Sequence, residues 1–181
     1  LPVEPVPDEG APAAAGHRPP GVATLPPGVV APRILVADDV PENRTVLAEM
    51  LTRAGCVVET ASDGREAVRR FGETRPQLVL MDLRMPEMDG YAALAAIRAT
   101  EAGRGVPVVI VTANAFEEDR AEARRAGGDD FLAKPFREAD LLEKVGRLLG
   151  VEWTRREPAP SAPEPHGDDP AARAAAILVL P

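Results

Sequence analysis

The chain has 181 residues, 20 prolines and a formal net charge of −8, enough length for one domain with a substantial core and appendages, and too little for two of average size. With 29 acidic against 21 basic residues, the balance argues against a nucleic-acid surface, which needs clustered cations to displace counterions from phosphates. No apolar run approaches the roughly 20 residues of a membrane span, and no charged start followed by an apolar stretch marks a signal peptide.

Proline divides the chain. Residues 1–32 hold 9 prolines and residues 151–181 hold 6, leaving 5 for everything between. Such Pro, Ala, Gly and acidic stretches bury too little to offset the entropy of ordering. The composition predicts a disordered Pro/Ala-rich linker over 1–32, one folded domain over 33–150, and a disordered Pro-rich tail over 151–181. The start at Leu1 rather than Met suggests an excised or processed piece.

In chain order, Ile34-Leu35-Val36-Ala37 is the first buried-strand candidate, ending in Asp38-Asp39. A helix follows from Pro41, whose missing N–H costs nothing in a first turn, with Val46, Leu47, Met50, Leu51 and Ala54 at helical spacing until Gly55. Residues 56–61 read as a strand, with Cys56 as a buried structural thiol. Asp63-Gly64 opens a second helix carrying Ala67, Val68 and Phe71. Leu78-Val79-Leu80-Met81 is a strand buried on both faces that delivers Asp82 into the turn RMPEMDG. Residues 91–100 form a third helix, 106–113 a fourth strand, and 116–126 a charged amphipathic helix closed by Gly127-Gly128. A short strand at 131–133 and a last helix at 137–149 complete the series.

Five strands alternating with five helices is the pattern of βαβ units, which right-handed crossovers assemble into a parallel sheet covered on both faces. Chemistry in open parallel sheets collects where strands end at the C-terminal edge. Asp82 alone reads first as a loop cap and only second as a reacting group. At that edge, however, the first strand ends in Asp38-Asp39, the third in Asp82, the fourth in Thr112 and the fifth in Lys134-Pro135. Three carboxylates on one rim repel each other unless a cation binds among them. The site expected is one for a hard divalent metal, Mg²⁺ foremost, held by oxygen ligands with several waters retained.

The motifs ILVADD at 34–39, MDLRMPEMDG at 81–90, VTANA at 111–115 and AKPF at 133–136 resemble, in order and spacing, those of bacterial response-regulator receiver domains. The resemblance covers about two-thirds of the chain. It implies an α/β, flavodoxin-like (βα)5 three-layer sandwich with sheet order 2-1-3-4-5. It also implies that Asp82 accepts a phosphoryl group from a phosphohistidine on a histidine kinase or histidine phosphotransfer domain, the receiver catalysing its own phosphorylation and dephosphorylation. Asp39, Asp82 and the main-chain carbonyl of Arg84 would bind Mg²⁺ directly and Asp38 through water. Thr112 and Lys134 would contact phosphoryl oxygens, the Lys134-Pro135 bond would be cis, and Thr112 with Phe131 would form the switch to a partner-binding face.

The long proline-rich lead and the Gly-Val-Glu-Trp ending after the last helix resemble the receiver module of a hybrid sensor histidine kinase, whose kinase would lie upstream in a cytoplasmic or membrane-anchored parent. A stand-alone response regulator is the alternative. A degenerate receiver used for binding alone would lack the acceptor or the acid pair. An aspartyl-phosphate phosphatase would carry its nucleophile in a DxDx[TV] pattern on the first strand, where this chain has Asp38-Asp39-Val40-Pro41. The closing AARAAAILVLP reads either as the start of a further helix, as in a histidine phosphotransfer module, or as a frayed end.

Overall fold

A computed structural model describes residues 22–113, 121 and 124–156. Its central sheet contains β2 (Arg33–Ala37), β3 (Val57–Ala61), β4 (Leu78–Asp82), β5 (Val108–Thr112) and β6 (Asp130–Ala133), preceded in the chain by a short β1 (Val22–Thr24). The five strands run parallel in the order β3-β2-β4-β5-β6, which is the expected 2-1-3-4-5 once β1 is counted. Four helices are described among these residues: α1 (Pro41–Arg53), α2 (Gly64–Thr74), α3 (Gly90–Ala99) and α4 (Glu138–Leu149). The helix expected over 116–126 falls mostly outside the described residues.

Successive side chains of a strand point to opposite faces, so each central strand supplies two cores. Leu35, Val79, Met81, Val108 and Ile110 pack with Ala67 and Phe71 of α2 and with Leu94 and Ile97 of α3. Ile34, Val36, Leu78, Leu80, Val109 and Val111 pack on the other face with Leu47 and Leu51 of α1 and Leu141, Leu142 and Val145 of α4. Fully burying each large aliphatic side chain contributes about 1.5–3 kcal/mol, and β4 and β5 are buried at every position. β5 begins at Val108 rather than the expected 106. Pro107 has no N–H to add to the ladder. Cys56 is buried as expected, and desolvation pushes its thiol up to about 11.

The helix starts follow local chemistry. Asp63 and Asp89 cap α2 and α3 by accepting from the Glu66 and Ala92 amides. At the far edge of the sheet, Asp130 accepts from Lys144 and Arg147 and ties β6 to α4. Burial works against its charge, but the Phe131 amide and the two cations outweigh this and hold the carboxyl below the usual range.

Beyond the expected boundaries at 33 and 150, β1 pairs antiparallel with β7 (Thr154–Arg156). Two short strands are marginal by themselves, and side-chain contacts to the domain anchor this ribbon. The Leu25 amide donates to the Ala54 carbonyl at 2.9 Å, and the Leu25 side chain covers Gly55. Trp153 packs on the second core and donates its indole N–H to the Leu142 carbonyl at 2.6 Å. That indole fits because residue 146 is glycine: a Cβ there would lie 2.6 Å from Trp153 Nε1 and 2.7 Å from the Val151 carbonyl oxygen.

Gly146→Ala would gain about 1 kcal/mol of helix propensity, but two contacts this short displace the indole or the backbone at a cost of about 1–3 kcal/mol. The expected result is a lower melting temperature together with a red shift in the emission of Trp153, the chain's single tryptophan. A stabilised variant with unchanged emission would contradict the packing described.

Candidate functional site

The parallel register brings the C-terminal ends of β2, β4, β5 and β6 to one rim. Asp38 and Asp39 leave the end of β2, Asp82 and Thr112 are the last residues of β4 and β5, and Lys134 follows β6. Carboxylate oxygens of Asp38, Asp39 and Asp82 all lie within 4.8 Å of one another. Lys134 Nζ stands 2.7 Å from Asp38 Oδ2 and 2.6 Å from Asp82 Oδ2. Asp38 is fully buried, Asp82 and Thr112 are each 8% exposed, and Asp39 is half-buried.

Burial opposes the charge on Lys134, yet the hydrogen bonds and charges of Asp38 and Asp82 outweigh that penalty and hold its pKa above the ordinary lysine value. One ammonium faces three carboxyl groups, so the set has room for a further cation. The donors are all hard oxygens, with no sulfur or imidazole among them, so the set fits Mg²⁺ better than a soft transition metal.

The turn after β4 is held from both sides. The Arg84 amide donates to Asp82 Oδ1 at 2.9 Å, and the Gly90 amide donates to the Leu83 carbonyl at 3.0 Å. A Cβ on Gly90 would sit 2.1 Å from the Asp82 carbonyl oxygen. Gly90 is thus required by close approach of two backbones. The Lys134-Pro135 peptide is cis, and the Lys134 amide bonds the Thr112 carbonyl at 2.8 Å, carrying the β5–β6 pairing up to the site. Phe131 lies in the first core, 5% exposed and in register with Ile110.

Every residue expected at the rim from β2, β4, β5 and β6 is therefore at or beside it, with Phe131 one strand layer below. Two further residues were missed. Asn43 Nδ2 reaches Asp38 Oδ1 at 3.3 Å, and Arg44 Nη1 reaches the Asp38 carbonyl at 2.5 Å. The helical periodicity of α1 marks them as off the core face and carries no further signal, because their contact depends on how the chain turns between β2 and α1.

Residues 34–146 match the family model described as the response regulator receiver domain. Among solved structures, the receiver domain of the sensor histidine kinase PA1611 from Pseudomonas aeruginosa PAO1, with a magnesium ion coordinated in its active-site cleft, is 43% identical. It has a TM-score of 0.63, and the match covers 67% of this chain and 99% of that one. The transcriptional regulatory protein PrrA of Mycobacterium leprae is 41% identical over 122 residues, 67% of this chain and 52% of the relative. The sensor protein GacS of Pseudomonas syringae is 38% identical over 133 residues, 72% of this chain and 14% of the relative. The chain thus spans about half the length of PrrA.

Removing the ammonium leaves two buried carboxylates facing each other, and breaking a buried pair costs about 3–5 kcal/mol. Lys134→Met should destabilise the metal-free domain by an amount of that order in urea unfolding at pH 7. Adding Asp82→Asn should recover part of the loss, since it deletes one of the opposed charges. Losses that simply add would show that the three groups do not interact.

Proposed function

The chain belongs to the response-regulator receiver family, and on that premise we propose that Asp82 accepts the phosphoryl group passed to it in a two-component phosphorelay. The donor is a phosphohistidine on a histidine kinase or a histidine phosphotransfer domain. The observation that supports this most directly is the convergence of Asp38, Asp39, Asp82 and Lys134 within hydrogen-bond and metal-ligand distances.

Asp39, Asp82 and the Arg84 carbonyl would hold Mg²⁺, with Asp38 acting through water. A bound Mg²⁺ supplies positive charge for the phosphoryl oxygens. The rest of the chemistry lies in the chain. An Asp82 carboxylate oxygen forms the new O–P bond as the donor's P–N bond breaks, and the bonding electron pair stays on the departing imidazole nitrogen. Charge in such a transfer spreads over three equatorial oxygens, so positioning and opposite charge do most of the work. Lys134, already 2.6 Å from Asp82, is placed to turn its ammonium to those oxygens, and the Thr112 hydroxyl to donate to another. Thr112 then moves toward the phosphoryl group, and Phe131, which has no hydroxyl, reports the change through packing alone.

Of the parent protein, we read this chain as the receiver module of a hybrid sensor histidine kinase in the cytoplasm. The likeness to GacS and to the PA1611 receiver supports that reading. The likeness to PrrA supports a second one, the receiver of a free-standing regulator. Kinase motifs in the reading frame upstream of Leu1 decide for the first, and their absence for the second. No described helix is long and apolar enough to cross a membrane.

Incubated with a phosphorylated donor and Mg²⁺, the domain should give a shifted, hydroxylamine-labile band on a phosphate-affinity gel, and Asp82→Asn should give none while keeping its fold. A labelled Asp82→Asn band would place the acceptor elsewhere. In the same preparation, beryllofluoride should shift the NMR resonances of Thr112 and Phe131, and unmoved Phe131 signals would remove it from the switch.

A further inference from the structure

Asp38 is the most enclosed of the three carboxylates, and each of its oxygens has a separate set of donors. Oδ1 accepts from the Val40 amide at 2.9 Å and from Asn43 Nδ2 at 3.3 Å, both at the start of α1. Oδ2 accepts from Lys134 Nζ at 2.7 Å, on the side of the site. Its carbonyl oxygen accepts from Arg44 Nη1 at 2.5 Å, and that carbonyl belongs to the peptide unit that leads into Asp39. Asp38 is 0% exposed, so a lost donor leaves a buried carboxylate oxygen short of a partner, at a cost.

The χ2 torsion of an aspartate is broad and offers little resistance to rotation. The direction of the Asp38 carboxylate is therefore set by its donors, and without Asn43 the oxygen turned toward α1 keeps only the Val40 amide. Arg44 acts one atom group away, because fixing the Asp38–Asp39 peptide plane fixes where the Asp39 side chain begins. We propose that Asn43 and Arg44 are positioning residues for the Asp38–Asp39 acid pair, and that through it they set the affinity of the rim for a hard divalent cation. This inference rests on the metal-dependent receiver chemistry proposed above.

The contribution of Arg44 can be separated from its charge by sign. A guanidinium bonded to the Asp38 carbonyl, beside the acid pair, opposes a second cation by Coulomb repulsion, so deleting that charge alone should strengthen Mg²⁺ binding. Deleting a positioning contact should weaken it, and partners that orient metal ligands are worth about 10–100-fold in affinity. A purely structural role at the start of α1, whose N-cap Val40 makes no side-chain cap bond, predicts a third pattern: lower thermal stability with unchanged Mg²⁺ affinity.

The test is calorimetric titration of the full chain with Mg²⁺ alone, with melting temperatures recorded in chelator. Asn43→Leu keeps the volume and removes the donor, Asn43→Ser is the milder variant should the first fail to fold, and Arg44→Met removes the guanidinium. The expected result is a Kd raised about 10-fold in each. Tighter binding by Arg44→Met would overturn the proposal for that residue and leave only its charge. Variants binding Mg²⁺ as the wild type does would overturn the inference while the receiver chemistry stands. A wild-type chain that takes up no Mg²⁺ would overturn both.

Discussion

Lys134 bridges Asp38 and Asp82, and the site depends on that double ion pair. It joins the ends of β2, β4 and β6, three strands that have no other reason to present like charges to one another. Two aspartates this deeply buried would repel and lose hydration, costs of several kcal/mol each without a partner. The ammonium holds the two side chains close until a stronger cation or a phosphoryl group competes for it. Among the described residues no fully buried side-chain nitrogen or oxygen lacks a hydrogen-bond partner. The buried polar side-chain atoms of the site are therefore satisfied at rest.

The sheet makes this arrangement possible by separating burial from chemistry. Residues inside β4 and β5 are spent entirely on the two cores, and polarity begins only at the last residue of each strand. Since both faces are covered by helices, the rim is the one part of these strands open to a partner. The backbone at Gly90 packs so closely against Asp82 that the turn carrying Arg84 has little freedom to move away. The rigidity of the core thereby reaches the Asp82 carboxylate through main chain alone.

What was legible in the sequence follows from the same separation. Strands buried on both faces write themselves as unbroken apolar runs, so the central strands and the rim residues behind them, Asp38, Asp39, Asp82, Thr112 and Lys134, could be read in order. β3, an edge strand with half-exposed residues, left a weaker trace and was recognised mainly from its neighbours. The ribbon was missed because Val22-Ala23-Thr24 lies within a proline-rich stretch and Thr154-Arg155-Arg156 is polar. Neither has a period, and what anchors them is contact with residues distant in sequence, Ala54, Gly55, Leu142 and Gly146. Asn43 and Arg44 were missed for a related reason: periodicity says which face of a helix is outward, not what stands opposite it after a turn.

The ribbon also settles where the chain enters and leaves. Pro32 bonds Val57 at the N-terminal edge of the sheet, and α4 runs back to that same edge before Trp153 closes on it. Leu25 and Trp153 therefore anchor the ribbon away from the rim that carries the carboxylates. The rim that gathers Asp38, Asp39 and Asp82 lies at the other end of the strands from the Pro32–Val57 bond. Val22 and Arg156 stand opposite each other across the ribbon. The Trp153–Gly146 contact, remote from the carboxylates, thereby helps hold the ribbon against the opposite part of the domain.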